Sequence, residues 1–217
     1  MKIPFEPYYQ DDSVTIYNAD CRQVLPFLPK FDLLLTDPPY GIDYKPEGGG
    51  KVAKRFTNKD KVIGDDRPFD PRGWLLDSAK LLCIWGGSNF ANTLPPSRGW
   101  LVWEKKDGIY YENAFSDCEI AWTNRDAPIK IFTHRWTGYH KASEKQEARI
   151  HPTQKPIALM QWCMSMFPEV STILDPFMGS GTTLVAAKLE GRKAVGIELN
   201  EKYCESAVKR LQQGVLF

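Results

Sequence analysis

Nowhere in this chain do 18 uncharged apolar residues run together, which excludes a membrane-crossing helix of ordinary length. The five cysteines (Cys21, Cys83, Cys118, Cys163, Cys204) are odd in number, widely spaced and never closely paired. Neither a disulfide framework nor a zinc site is expected from them. Reduced thiols in a cytoplasmic protein are the expectation, and the residues following Met1-Lys2 lack the apolar stretch of a secretory leader. Charge of one sign is also missing. The 28 Lys and Arg against 27 Asp and Glu give a formal net charge of +1, so no global basic field advertises a nucleic acid and any anion-binding surface has to be local. The 217 residues suffice for one well-buried core, and the chain reads as a single domain.

What is present is an alternation of apolar runs and helical patterns, which predicts βαβ units and a largely parallel sheet in an α/β fold. Strands are expected near Val14 to Tyr17, Phe31 to Leu35, Leu81 to Trp85, Trp100 to Trp103, Glu119 to Thr123, Thr172 to Leu174 and Ala194 to Ile197. The clearest helices are Pro156 to Met166, Gly181 to Glu190 and Glu201 to Gln212. The last puts Tyr203, Ala207, Val208 and Leu211 on one face, with Asn200 as N-cap and Gly214 as the stop.

Two basic stretches resist this pattern. Lys45 to Lys61 sets six Lys and Arg residues around Gly48-Gly49-Gly50 against only Glu47 and Asp60, a composition expected to form a mobile loop. Residues 124–150 interleave Arg125, Lys130, Arg135, Lys141, Lys145 and Arg149 with Phe132, His134, Trp136, Tyr139 and His140. Charge with aromatics is the composition of a nucleic-acid surface, here read as a small target-recognition insertion. A solvated loop with a few anchoring rings has the same composition.

The chemistry concentrates in two motifs, each directly after an apolar strand. Thr36-Asp37-Pro38-Pro39-Tyr40-Gly41 follows Phe31 to Leu35, and Asp175-Pro176-Phe177-Met178-Gly179-Ser180-Gly181-Thr182-Thr183 follows Thr172 to Leu174. An aspartate, two prolines and an aromatic ring at a strand end form a rigid shelf for a flat, amine-bearing ring. Alone, the same residues make an ordinary turn. In the second motif Gly179 and Gly181 allow a tight turn, and Thr182 and Thr183 open a helix whose amides can face a carboxylate. Glu198 ends the next strand 19 residues after Gly179, where a nucleotide fold of this kind puts its acceptor for ribose hydroxyls. Leu184 stands where a dinucleotide fingerprint needs its third glycine, and no Gly-Lys-Ser/Thr follows. An adenosine with an amino-acid tail needs a ribose acceptor and carboxylate donors but no pyrophosphate cradle. S-adenosylmethionine fits that description.

With these residues in view, the chain resembles the amino-group DNA methyltransferases, which methylate adenine-N6 or cytosine-N4, in the permuted "beta" arrangement where the catalytic motif precedes the cofactor motif. The resemblance spans Val14 to Leu211 and extends to Tyr17-Asn18-Ala19-Asp20-Cys21 and His151-Pro152-Thr153-Gln154-Lys155-Pro156. It implies a Rossmann-like S-adenosylmethionine-dependent methyltransferase fold, with a mostly parallel seven-stranded sheet and helices on both faces. It also implies that Asp20, beside Cys21, reads the cofactor's adenine amine, and that Thr153 and Lys155 hold its methionine carboxylate. Phe177 would pack on the cofactor, Glu198, followed by Leu199, would take the ribose, and Asp37, Asp175 and the turn Gly179, Ser180, Gly181, Thr182 and Thr183 would complete its cradle. Asp37, Pro38, Pro39 and Tyr40 form the catalytic set. Asp37 and the Pro38 carbonyl accept the two amino hydrogens, and Tyr40 stacks on a base flipped out of double-stranded DNA. This chemistry needs no metal and no catalytic thiol, and a second copy of the chain as partner stays open.

Aspartate at the first acceptor position looks like adenine enzymes, serine like cytosine-N4 enzymes. The alternatives weighed are therefore cytosine-N4 methylation, a glutamine-amide methyltransferase, whose relatives carry Asn first, and a catalytically silent DNA-binding subunit. A NAD-dependent oxidoreductase is disfavoured by Leu184.

Overall fold

Leu33, Leu34 and Leu35 are wholly buried although their side chains alternate in direction, which only a central strand covered on both faces can achieve. The computed structural model describes residues 3–43, 63–108, 116–136, 142–144 and 154–213. It contains nine strands, β1 (Tyr9–Gln10), β2 (Val14–Asn18), β3 (Phe31–Thr36), β4 (Ala79–Trp85), β5 (Trp100–Glu104), β6 (Cys118–Thr123), β7 (Lys130–Thr133), β8 (Thr172–Asp175) and β9 (Lys193–Glu198). The helices are α1 (Cys21–Val24), α2 (Ile157–Ser165), α3 (Thr182–Leu189) and α4 (Glu201–Gln212). All strands join one sheet in the order β1-β2-β9-β8-β3-β4-β6-β5-β7. From β2 to β4 every pair is parallel, while β6 runs antiparallel to both β4 and β5.

The alternation of β3 and β8 divides the core. Leu33, Leu35 and Ile173 face α2, α3 and α4, packing with Leu159, Met164, Leu184 and Ala207. Leu34 and Leu174 face the other way, toward Leu75, Phe90 and Trp122, where irregular segments supply Phe69 and Trp74. The short α1 covers the β2 and β9 end of that second face through Val24, Tyr17 and Ile197. Helix α4 starts where expected, with the Asn200 side chain accepting from the Lys202 amide at 3.1 Å. Lys209 and Arg210 in its last turn oppose the carbonyl end of the dipole.

All seven expected strands are present. The two further ones, β1 and β7, are the sheet's edges. Two residues are too few for β1 to show a period, and β7 carries Lys130 and exposed Ile131 inside the stretch read as an insertion. That stretch is therefore in part an edge strand, pairing Lys130 to Thr133 with Leu101 to Glu104. Residues 45–61 lie outside the described residues.

Connections from β8 through α3 lead to β9 on one side, while β3 leads to β4 on the other. The crevice at the carboxyl ends of β8 and β3 is thus the switch point at which open α/β sheets bind ligands. At the opposite end of the same two strands, the Asp32 carboxylate accepts from the amides and hydroxyls of Ser171 and Thr172 at 2.8–3.1 Å. Those donors, the Thr172 hydroxyl first, lower its pKa to about 2 from 3.8. Because the folded value is the lower one, Asp32 stabilises the fold above its ordinary pKa and the contribution disappears as pH falls through about 2. Asp32→Ala should lower the denaturation midpoint at neutral pH, with the gap to the parent chain closing below pH 4 when denaturant curves are recorded at stepped pH.

Candidate active site

Four adjoining parallel strands each end in a carboxylate: Asp20 after β2, Glu198 on β9, Asp175 on β8 and Asp37 after β3. At about 4.8 Å per strand they span roughly 14 Å. On the β2 and β9 side, Asp20 is the exposed N-cap of α1 and accepts from the Arg22 amide at 2.9 Å. Asn18 ties this end to β9, its amide donating to the Glu198 and Leu199 carbonyls. The Glu198 carboxylate accepts from the Asn200 amide at 2.7 Å and the Gly179 amide at 3.0 Å, and burial pushes its pKa up. Gly179 and Gly181 both take positive φ, 51° and 78°, which makes this turn tight. Leu199 beside them is 52% exposed. Phe177 sits edge-on to Phe69 and Trp74 at 5.7 and 6.1 Å. Cys21 is buried, and its thiol is pushed up to about 12 by that burial, so it offers packing rather than a thiolate.

The turn's hydroxyl residues point inward. Ser180, Thr182 and Thr183 are all buried. Arg210, buried on α4, donates to the Ser180 carbonyl at 2.9 Å and the Thr182 hydroxyl at 3.0 Å, and its guanidinium lies 3.6 Å from Glu144. Glu144 in turn accepts from the Ile157 amide at 2.7 Å, capping α2. Sequence reasoning placed Ser180, Thr182 and Thr183 in the cofactor cradle and missed Arg210 and Glu144. The exposed-looking last turn of α4 gave no sign that one of its cations braces the glycine turn.

Across the switch point, the Asp37 carboxylate is engaged on both oxygens. Oδ1 accepts from the Tyr40 hydroxyl at 2.7 Å and Oδ2 from the Lys155 ammonium at 2.5 Å. Lys155, 6% exposed, also lies 3.0 Å from Glu119, whose other oxygen accepts from Lys105 at 2.9 Å. Burial would raise the Glu119 pKa, but the Lys155 and Lys105 ammoniums hold it down to about 2. Burial pushes the Asp37 carboxyl up against the pull of Lys155. Lys155 itself, despite desolvation, is kept charged by Asp37 and Glu119. The sequence resemblance gave Lys155 to a cofactor carboxylate, whereas the structure commits its ammonium to Asp37 and Glu119. Thr153, its expected companion, lies outside the described residues.

Tyr40 fits because residue 86 is glycine. A Cβ on Gly86 would lie 2.0 Å from the Tyr40 ring. Asp65 is buried and accepts from the Gly41 amide at 2.8 Å, fastening the chain just after Tyr40. Phe132, His134 and Trp136, part of the basic and aromatic stretch, have partners within the molecule. Phe132 stacks on Trp162 at 5.1 Å and on His134 at 5.5 Å, and Trp136 is buried and donates to the Gln154 carbonyl. Among the described residues no His, Cys, Asp and Glu side chains gather into a metal-holding group. No helix there is long and apolar enough to cross a membrane.

Asp175 links the two halves. It is buried, accepts from the Thr36 hydroxyl at 2.7 Å and from the Phe177 amide at 3.2 Å, and is pushed by desolvation to about 6. Since the folded value is the higher one, its contribution to stability is complete below its ordinary 3.8 and is lost as pH rises through about 6. Asp175→Asn, isosteric and uncharged, should flatten the pH dependence of unfolding free energy between pH 4 and 6, a difference on the order of 3 kcal/mol. Chemical denaturation across that window measures it.

Comparison with known proteins bears on the same residues. A family model described as DNA methylase, of the N6/N4 type, matches residues 84–209. The type II methyltransferase M.ScaI of Streptomyces caespitosus is 25% identical, with 95% of this chain and 84% of that protein aligned. M2.LlaDCHI of Lactococcus lactis subsp. cremoris, also a type II methyltransferase, is 26% identical over 98% of this chain and 94% of its own. Among solved structures, the cytosine-N4-specific PvuII DNA methyltransferase superposes with a TM-score of 0.61 at 14% identity, covering all of this chain and 92% of that one. M1.HpyAVI gives 0.51 at 25% identity, covering 94% and 100%. The family match takes in the glycine turn, Glu198, Glu119 and Lys155 and extends over more than half of the 217 residues, and this chain accordingly belongs to the DNA methylase family.

Proposed function

We propose that this protein transfers a methyl group from S-adenosylmethionine to the exocyclic N6 amine of a flipped-out adenine in double-stranded DNA, as the modification enzyme of a type II system. The observation that carries the reading is the Asp37 carboxylate standing at the end of β3, across the switch point from the Gly179–Gly181 turn and Glu198. M1.HpyAVI and the Thermus thermophilus protein TTHA0409 share the fold, and both were solved with S-adenosylmethionine.

The donor set fits that cofactor. Glu198 offers a carboxylate to the ribose hydroxyls and Asp20 one to the adenine amine, with Leu199 and Phe177 as apolar surface beside them. When bound, the sulfonium supplies an electrophilic methyl group. The chain's own task lies at the amine, whose lone pair is delocalised into the base. Asp37 and the Pro38 carbonyl accept its two hydrogens, which draws electron density to nitrogen as positive charge develops there. Pro38 and Pro39 fix the backbone that aims these acceptors. Tyr40, whose hydroxyl burial holds well above its usual range, offers its ring for stacking on the base. Aspartate rather than serine at position 37 favours adenine over cytosine. Residues 45–61 and 124–150 set the sequence preference.

Duplex DNA of mixed sequence, incubated with the protein and S-adenosylmethionine and digested to nucleosides, should yield N6-methyladenine by mass spectrometry. N4-methylcytosine in its place would overturn the base assignment, and neither product would overturn the reaction. Asp37→Ala should slow transfer on the order of a hundredfold or more while calorimetric cofactor affinity stays nearly intact. Parallel loss of that affinity would mean the acceptor pocket has been misplaced.

A further inference from the structure

An amine approaching Asp37 meets a carboxylate that is already taken. Tyr40 donates to one oxygen and Lys155 to the other. Lys155 is enclosed, its ammonium about equally far from the Tyr40 and Trp85 rings at 5.8 and 5.9 Å, so it cannot leave for water. A buried cation gives up one carboxylate only where a second stands ready. Glu119 is that second one, 3.0 Å away and itself anchored by Lys105 at 2.9 Å. Two carboxylates and two ammoniums thus form a chain, Asp37, Lys155, Glu119, Lys105, with Asp175 the further acid facing Asp37 from β8.

We propose that Lys155 is an exchangeable counter-ion of Asp37 and that Glu119 is the positioning residue that receives it. In the resting pocket the ammonium keeps the acceptor carboxylate ionised and aimed. As the base amine arrives, its N–H replaces the Lys155 N–H on Asp37, and the ammonium closes on Glu119 without passing through an unpaired state. Glu119 contacts Lys155 and Lys105. It acts through Lys155, and Lys105 keeps it from collapsing onto the pocket. This inference rests on the amine-methylating reading above.

The test compares Glu119→Gln, Glu119→Asp and Lys155→Met in the full chain. With Gln at 119 the ammonium has no alternative and stays on Asp37. Single-turnover methyl transfer should fall on the order of tenfold, with calorimetric affinities for S-adenosylmethionine and DNA retained, and Asp should restore part of the rate. The acid limb of the pH–rate profile should move down in Glu119→Gln, where Lys155 serves Asp37 alone, and up in Lys155→Met, where Asp37 loses its cation. Carbon-13 NMR of labelled aspartate should show the same opposite shifts of the Asp37 carboxyl without turnover. A parent-like rate in Glu119→Gln, or acid limbs and carboxyl titrations that move together in the two variants, overturns the exchange. Inactivity of the unsubstituted chain on DNA overturns the proposed reaction instead, so the two failures are distinct.

Discussion

Bringing four carboxylates to one edge of a sheet is unfavourable unless each finds donors, because a buried anion loses its hydration and repels its neighbours. The structure meets that constraint with a different partner set at each strand end. Asp20 caps a helix in solvent, Glu198 takes two backbone amides, Asp175 takes hydroxyls, and Asp37 takes a phenol and an ammonium. The partner sets run from fixed backbone amides at Glu198 to a buried ammonium at Asp37. Backbone amides are fixed by the fold, whereas the Lys155 ammonium is held by side-chain contacts alone.

Much of this edge was legible in the chain. Strand ends are announced by apolar runs followed by Asp-Pro, and the spacing from Gly179 to Glu198 carries the geometry of a strand-helix-strand unit. Seven of the nine strands and the three longer helices follow from the apolar runs and the helical periodicity. What stayed hidden depends on pairing across long separations. Glu119 lies in a strand whose alternation is ordinary, and its meeting with Lys155 follows from β6 crossing beside β4, which no local pattern encodes. Arg210 and Glu144 are hidden for the same reason, and β7 because its lysine and exposed isoleucine look like a loop. The aromatic residues of 124–136 left two readings open, a nucleic-acid surface and a loop with anchoring rings. Composition cannot tell a ring that offers its face to a base from one already stacked on Trp162.

The two halves of the site are also mechanically joined. Arg210 holds the Ser180–Thr182 segment and approaches Glu144, Glu144 caps α2, and the residue two positions before that helix is Lys155. The glycine turn and the acceptor carboxylate are thus connected through side-chain contacts as well as through neighbouring strands. Such a connection stiffens both halves against each other, so the distance between Asp37 and the glycine turn is set by buried groups.

One modest contact has a wider implication. The backbone on either side of residues 44–62 is clasped at its base, with Gly41 donating to the Asp65 carboxylate and Asp43 to the Asp65 carbonyl at 2.7 Å. The clasp ties the backbone just after Tyr40 directly to Asp65, 24 residues further along the chain.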